Sequence, residues 1–313
     1  MRVAFNSIPD ALTRQLAALS TQQNRLQNEV ATGKRISQLD DDPATMRQVL
    51  DLQTQDSQIS QYRKNIATLQ GQATSSYNAI SGLQTIAARA GEIATQADGT
   101  TSPEELSTYA TEVTQLIQQG VQLMNSTWQG SYLFGGTQTT QPPFVSASDA
   151  SGNITSVTYQ GNDSVPATEI AAGATVSVQV PGANTSGTGP GGVITDTRNG
   201  ADFFNHLISL QNHLLSGDTA AITSQDSPAL QKDEDNITSQ IAENGLVQSQ
   251  LSTADSLAST QSISVQQTIS QDSDADLAQT LTQLSSTQNA FQAALQSGAQ
   301  LLNQDQSLLA YLQ

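Results

Sequence analysis

The sequence contains no cysteine among its 313 residues. Disulfide bonds, thiolate nucleophiles and metal sites built from cysteine ligands are therefore excluded. Aromatic residues are also scarce, at 4% of the chain, whereas glutamine, serine, threonine and alanine are abundant. With so few bulky side chains to fill a large core, the composition favours long solvated helices over a compact globule.

Long hydrophobic runs are missing as well. No stretch of about 18 consecutive apolar residues occurs, so no membrane-spanning helix is predicted. Residues 1–6 do not begin an apolar run of about seven residues followed by a small-residue cleavage site, which a cleaved secretory signal requires. A protein with this N-terminal sequence would need another route if it is exported.

Basic residues are scarce beyond residue 100. Residues 1–100 carry nine basic and nine acidic side chains, whereas residues 101–313 carry two basic and 19 acidic ones, which accounts for the whole net charge of −17. Such a surface repels phosphate groups, so neither nucleic acid nor an anionic membrane is an expected partner. The acidic surface is interpreted mainly as a feature that keeps the protein soluble.

What the sequence does contain is helical periodicity. Between residues 52 and 97, positions separated by alternating steps of three and four residues are apolar at 12 of 14 places. This period predicts a coiled-coil seam. Asp42 and Pro43 suit the start of the helix, and Asp98-Gly99 suits its end. A helix of this extent would be roughly 80 Å long, longer than a compact domain of this size, so the sequence predicts an elongated rod.

Further helices follow from local signals. Ser102 and Glu105 form a predicted capping box around Pro103, which starts a second helix. Its short connection to the preceding helix implies antiparallel packing. Two more helices are predicted at 201–215 and from residue 227 to about 271.

Between residues 135 and 200 the pattern changes to strands and turns. β-branched residues alternate in 154–159 and 174–180, and residues 149–153 suit a hairpin turn. The run 184–192 is rich in glycine, serine and threonine and is predicted to be a mobile loop. The expected fold is therefore mainly α, an antiparallel helical rod with an inserted, small β-rich domain.

Both ends of the chain carry apolar stripes with the same three-four spacing. We predict that the two terminal helices pair as a coiled coil and that sister copies cover the remaining faces, because two helices alone form a thin core. The periodicity is equally compatible with an ordinary helix bundle within one molecule. The predicted assembly seam consists of Leu12, Leu16, Leu19, Leu26, Val30, Leu277, Leu281, Leu284, Phe291, Leu295, Leu302, Leu309 and Leu312.

No constellation of catalytic or ligand-binding side chains is found. The two histidines, His206 and His213, are seven residues apart on one predicted helix face, too far apart to bind one metal ion. Residues 149–160 begin like a calcium loop but end in Gln160, where a bidentate glutamate is required. Neither a phosphate-binding loop nor a nucleophile elbow occurs. We therefore predict that the protein is not an enzyme and that it has no catalytic, cofactor or metal site.

Three segments carry distinctive motifs. Two of them contain the motif residues Gly33, Lys34, Arg35, Ile36, Asp41, Asp42, Pro43, Tyr132, Phe134, Gly135 and Gly136, and the third runs from Phe291 to Leu312. These segments resemble the flagellins and hook-associated proteins of the bacterial flagellar axis. Asp41-Asp42-Pro43 is more similar to the members at the junction between hook and filament than to filament flagellin, which typically has Asp-Asp-Ala-Ala-Gly.

The resemblance implies a structural subunit without cofactors. It implies export through the flagellar type III apparatus with an export chaperone, and a location outside the cell in the flagellum. It implies a homo-oligomeric ring that contacts hook-associated protein 1 on one side and flagellin on the other. It also implies an inner terminal coiled-coil domain (1–42 and 273–313), a helical rod domain (43–137 and 201–272) and an outer β-rich domain (138–200).

Other functions stay open at this point. The nearest alternative is a filament-forming flagellin subunit. From other classes, a helical secreted adhesin and a cytoplasmic coiled-coil sensor are also compatible with the helical pattern. A sensor would require a membrane span or a ligand pocket, and the sequence predicts neither.

Overall fold

The computed structural model describes residues 7–38 and 40–310, with the side chains of 10–38 and 40–300. The chain is mainly helical, as predicted, and its strands lie between the third and fourth helices. The helices are α1 (Ser7–Thr32), α2 (Pro43–Gln96), α3 (Pro103–Met124), α4 (Phe203–Ser216), the short α5 (Thr219–Ala221), α6 (Ser227–Ser273), which follows a π-helical turn (Ile222–Asp226), and α7 (Leu277–Ala310).

The strands form four small sheets. Three of them are antiparallel pairs and one has three strands. The strands are β1 (Thr127–Trp128), β2 (Ser131–Tyr132), β3 (Phe144–Ser148), β4 (Ile154–Tyr159), β5 (Thr168–Ala171), β6 (Ala174–Val176), β7 (Ala183–Asn184), β8 (Thr195–Asp196) and β9 (Ala201–Asp202).

The chain divides into two compact units. The terminal unit combines residues 1–58 with 260–313, and the central unit contains residues 59–259. The long helices α2 and α6 each contribute one end to the terminal unit and the rest to the central unit.

Local sequence signals account for the helix starts. The Asp42 carboxylate accepts hydrogen bonds from the backbone N–H groups of Ala44 (3.1 Å) and Thr45 (3.2 Å) at the start of α2. The predicted capping box at the start of α3 is confirmed, with reciprocal hydrogen bonds between Ser102 and Glu105. Each such cap satisfies N–H groups that the helix itself leaves without partners and stabilises the helix by about 1 kcal/mol.

The central unit is built around one large apolar cluster. The seam of α2, including the fully buried Ile80 and Leu83, packs with α3, α4 and the hairpin of β3 and β4. Phe144 of β3 lies edge-on to Phe204 of α4, with ring centroids 5.4 Å apart. Burying a side chain of this size contributes about 1.5–3 kcal/mol, so this cluster dominates the stability of the unit.

The strands do not form one continuous sheet. The hairpin of β5 and β6 lies on the helices, where its Ile170 and Val176 pack with Ile66 of α2 and Leu251 of α6 in a second apolar cluster. The strand predicted over 174–180 ends at Val176, which pairs with Thr168. Farther along in this register Pro166 would face Val178, and it has no N–H to donate to a continued ladder.

The loop at 184–192, predicted to be mobile, is held in place by a buried side chain. Asn184 is fully buried, and its amide Nδ2 donates to the carbonyl oxygens of Thr188 (2.7 Å) and Pro190 (2.7 Å). Its Oδ1 accepts from the backbone N–H groups of Ser186 (3.0 Å) and Gly187 (3.0 Å). These four bonds fold the loop around one asparagine, so a composition typical of mobile loops is misleading here.

Candidate assembly surface

The terminal helices α1 and α7 pack against each other in the terminal unit. Leu26 of α1 is fully buried, and the other predicted α1 seam residues, Leu12, Leu16, Leu19 and Val30, are half-buried. The helices run antiparallel, since Leu12 meets Gly298 near one end and Gly33 meets Ala275 near the other. The pairing of the N- and C-terminal helices that the sequence predicts is confirmed.

Small side chains let the two helices approach closely. A Cβ atom on Gly298 would lie 2.6 Å from Leu12 Cδ2, so Leu12 occupies the space above the glycine. Between residues 277 and 300, where the side chains of α7 are described, the buried or half-buried positions are Thr280, Leu284, Thr287, Phe291, Ala294 and Gly298. In this part of α7 the packed face contains one leucine.

Three of the five predicted α7 stripe residues with described side chains therefore lie beside this packed face. Leu277, Leu281 and Leu295 are 47%, 51% and 47% exposed, while Leu284 and Phe291 are half-buried. Leu302 and Leu309 lie in α7, but their side chains are outside the described part of the structure, as is the whole of Leu312. The structure thus brings the α1 stripe into the helix pair and leaves three α7 leucines uncovered.

The motif at 33–36 joins the two ends of the terminal unit through a set of contacts that we call the terminal clasp, formed by residues 33–36 and 272–275. The backbone N–H of Arg35 donates to the Ser273 carbonyl (2.7 Å), and the N–H of Ala275 donates to the Gly33 carbonyl (2.9 Å). The Lys34 ammonium forms an ion pair with Asp274 and lowers the pKa of that carboxyl group. Ile36 is buried beneath these contacts.

Gly33 has a specific role in the clasp. Its φ of 69° lies in the left-handed region, which glycine adopts without steric cost and which ends α1. Its N–H still donates to the Glu29 carbonyl (2.8 Å), as in a helix C-terminus. The chain can therefore turn directly from α1 into the clasp.

The acidic part of the same motif organises the start of α2. The Asp41 carboxylate accepts backbone hydrogen bonds from Ser37 (3.0 Å) and Gln38 (2.9 Å), which lower its pKa. The Asp42 pKa is lowered mainly by the Thr45 hydroxyl (2.7 Å). Asp42 thus caps α2 as predicted for an acid preceding a helix, whereas Asp41 holds the turn before the helix, and Pro43 occupies the first helical position.

The partner segment of the clasp is not predicted by the sequence. Residues 272–275 precede α7, and Asp276 caps this helix by accepting from the N–H groups of Ala278 (3.0 Å) and Gln279 (3.1 Å). The acidic run before an apolar stripe is a usable signal for that cap. Nothing local indicates that the run pairs with residues 33–36, more than two hundred positions earlier.

The second motif, residues 132–136, follows α3 in the central unit. Phe134 is fully buried, and its carbonyl accepts hydrogen bonds from the Gly182 N–H (2.8 Å) and the Tyr159 hydroxyl (3.0 Å). Burial raises the pKa of Tyr159 to about 12. Tyr132 is half-buried in β2, whereas Gly135 and Gly136 are buried.

Gly135 and Gly136 allow their backbone to lie close to the backbone carbonyl groups of Gln138 and Asn162. A Cβ on Gly135 would lie 2.2 Å from the Gln138 carbonyl oxygen, and one on Gly136 would lie 2.2 Å from the Asn162 carbonyl oxygen. Gly136 also has a φ of 65°. A side chain at either position would force the backbone apart.

We expect Gly136→Ala to destabilise the central unit more than Gly130→Ala. Both glycines have positive φ, at 65° and 83°, but a Cβ on Gly130 meets nothing within 4 Å. The strained backbone alone should cost about 1–2 kcal/mol in each variant, and Gly136→Ala should lose more because Asn162 must move. The measurement is urea unfolding followed by the fluorescence of Trp128, the only tryptophan of the chain. Equal losses in the two variants would show that the close approach to Asn162 does not constrain the fold.

Comparison with known proteins agrees with this architecture. Residues 4–139 match the family model of the bacterial flagellin N-terminal helical region. Among curated proteins, none matches this chain. Within the part of the chain that the structure describes, no helix has the length and apolar content needed to cross a membrane.

Solved structures share the fold. A candidate flagellar hook-associated protein of Vibrio parahaemolyticus is 21% identical, with a TM-score of 0.63 over 75% of this chain and 100% of its own. FlgL of Bacillus cereus is 20% identical, with a TM-score of 0.55 over 70% of this chain and 99% of its own. FlgL of Xanthomonas campestris is 19% identical, with a TM-score of 0.56 over 69% of this chain and 98% of its own. Residues 4–139 therefore match the N-terminal helical region of the bacterial flagellins, and the chain shares the fold of solved flagellar hook-associated proteins, as its motifs predict.

Proposed function

We propose that this chain is a structural adaptor of the bacterial flagellum, which assembles as a ring at the hook-filament junction and connects the hook, through hook-associated protein 1, to the flagellin filament. The flagellin family match and the shared fold support a structural role in the flagellum. What we propose beyond this structural role is the position at the junction and the two proteins that the chain connects there.

The observation that carries the proposal is the incomplete burial of the terminal helix pair. The α1 stripe is covered by α7, but Leu277, Leu281 and Leu295 remain about half exposed on one side of α7. Transfer of leucine surface from water to an apolar contact is favourable by roughly 25 cal/mol per Å². Sister subunits that cover this side would therefore be held by the same apolar effect that holds α1 to α7.

The family match supports a different position in the assembly for each part of the chain. The matched region ends at residue 139, at the start of the β-rich insertion at 138–200. In the proposed assembly, residues 1–42 and 273–313 form the inner layer, residues 43–137 and 201–272 the next layer, and the insertion the outer surface. The subunit would reach this position outside the cell by flagellar type III export with a chaperone.

Deletion of the gene tests the adaptor position. We expect the deletion strain to form hooks without filaments and to release flagellin monomer into the medium, because filament subunits are still exported but cannot attach. Electron microscopy of the cell surface and immunoblotting of the medium for flagellin measure the two effects, and expression of the intact chain should reverse both. Filaments that remain attached would contradict the adaptor role. Bare hooks with no flagellin in the medium would indicate instead that this chain is the filament subunit.

A further inference from the structure

The two histidines of the chain each contact a buried carboxylate. His206 Nδ1 lies 2.7 Å from Asp233 Oδ2, and His213 Nδ1 lies 2.7 Å from Asp226 Oδ2. The side chains of Asp233 and Asp226 are 0% and 3% exposed, whereas the imidazoles are about one quarter exposed. The seven-residue spacing of the histidines on α4 matches that of the aspartates, so the two pairs link α4 to the end of the π-helical turn, at Asp226, and to the start of α6, at Asp233.

Each carboxylate has one further hydrogen bond from a neutral group. Asp226 Oδ1 accepts from the Ser209 hydroxyl (2.7 Å), and Asp233 Oδ1 accepts from the Asp202 N–H (2.8 Å). In the part of the chain with described side chains, no lysine or arginine forms an ion pair with either aspartate. The His206 imidazole is therefore the cation that compensates the buried Asp233 carboxylate, and it does so only while it is protonated.

The charged groups around His206 also favour its protonated form. The His206 pKa is raised above its ordinary value of 6.5, first by the hydrogen bond to Asp233 and further by the charges of Asp233, Asp202 and Asp226. Burial raises the pKa of Asp233 as well, because the charged carboxylate is removed from water. Both shifts make the folded pair hold its proton to higher pH than the separated groups do in the unfolded chain.

We propose that the His206–Asp233 pair forms a pH-dependent fastening of α4 to α6, which stabilises the central unit at mildly acidic pH and weakens as the imidazole loses its proton. The sign follows from linkage. A proton bound more tightly in the folded state stabilises folding below the unfolded pKa, and this contribution is lost as the pH rises through the folded pKa. When the His206 imidazole is neutral, Asp233 remains buried without a compensating charge.

The composition of the chain makes the contribution of the histidines to its pH-dependent stability easy to isolate. The chain has two histidines and no cysteine. With no cysteine present, the groups whose ordinary pKa values lie between about 5.5 and 8.5 are these two imidazoles and the α-amino group. A change in stability across this window can therefore be assigned by replacing two residues.

The test is thermal unfolding of the purified full chain at intervals from about pH 5.5 to 8.5, followed by Trp128 fluorescence. We expect the wild-type midpoint to fall by at least about 3 °C across the window. The double variant His206→Gln with His213→Gln keeps an amide donor at each position but cannot titrate, so its midpoint should change by less than about 1 °C. A flat wild-type curve, or an equal fall in the double variant, would overturn the proposal.

A second measurement does not depend on the stability of the variant. Two-dimensional NMR of the wild-type imidazole signals should give a His206 pKa above 6.5, and Asp233→Asn should bring it back toward that value. A His206 pKa at or below 6.5 in the wild type would contradict the fastening. These experiments use the isolated protein, so their outcome is independent of the adaptor role proposed above.

Discussion

Replacing Leu295 with aspartate is expected to abolish motility while leaving the free protein folded. Leu295 is 47% exposed in the chain, so the substitution should change the stability of the monomer by no more than about 0.5 kcal/mol. In the proposed ring, the same position is covered by a sister subunit, and an unpaired buried charge costs several kcal/mol at every interface. The measurement is swimming in soft agar after complementation of the deletion strain, together with circular dichroism of the purified variant.

Two control variants make this experiment specific. Leu295→Met keeps an apolar side chain of similar volume and should swim normally. Ala293→Asp introduces the same charge at another exposed position of α7, about 200° around the helix from Leu295, and should impair motility less. If Leu295→Asp swims like the wild type, the exposed leucines of α7 are not an assembly surface. If all three variants fail alike, the leucine stripe has no special role in assembly.

Phe134→Ala is expected to be among the most destabilising single substitutions in the central unit. Phe134 is fully buried in the large apolar cluster and lies in the second family motif. Truncation of a fully buried phenylalanine removes its transfer free energy and leaves a cavity, and together these cost about 3–5 kcal/mol. Urea unfolding followed by Trp128 fluorescence should show a lower midpoint with an unchanged slope, because the surface exposed on unfolding is nearly the same.

The matched control is Val145→Ala in the neighbouring strand β3. Val145 is 45% exposed, so its truncation should cost less than about 1 kcal/mol. Since Trp128 packs across Gly71 of α2 and borders the same cluster, its fluorescence reports on the region that both substitutions affect. A similar midpoint for the two variants would mean that Phe134 does not support the cluster.

The extents of the long helices could be predicted from the sequence. The three-four ladder of α2 is buried along most of its length, and even the polar Ser76 at a seam position is buried. The predicted starts at Pro43 and Pro103 agree with the structure. These predictions succeed because helix periodicity and capping depend on residues within one or two turns of each other.

The face on which the terminal helices meet could not be predicted in the same way. Of the predicted α7 stripe, Leu284 and Phe291 lie on the packed face, but Thr280 and Thr287 are buried there while Leu277 and Leu281 stay exposed. Small residues allow the two helix backbones to approach, and the packing contacts that result depend on the shape of α1 opposite them. The distribution of leucines along one helix contains no information about that partner shape.

By itself, the sequence determined the mainly α class of this protein, the position of its β-rich insertion, the pairing of its terminal helices and its resemblance to the flagellins, because periodicity, caps and short motifs are local properties. Only the tertiary structure decided which of the described leucines of α7 stay exposed, that residues 33–36 clasp residues 272–275, and that His206 and His213 contact Asp233 and Asp226. Those features depend on contacts between residues far apart in the chain. Such contacts are selected by the packing of whole helices and leave no periodic trace in either segment.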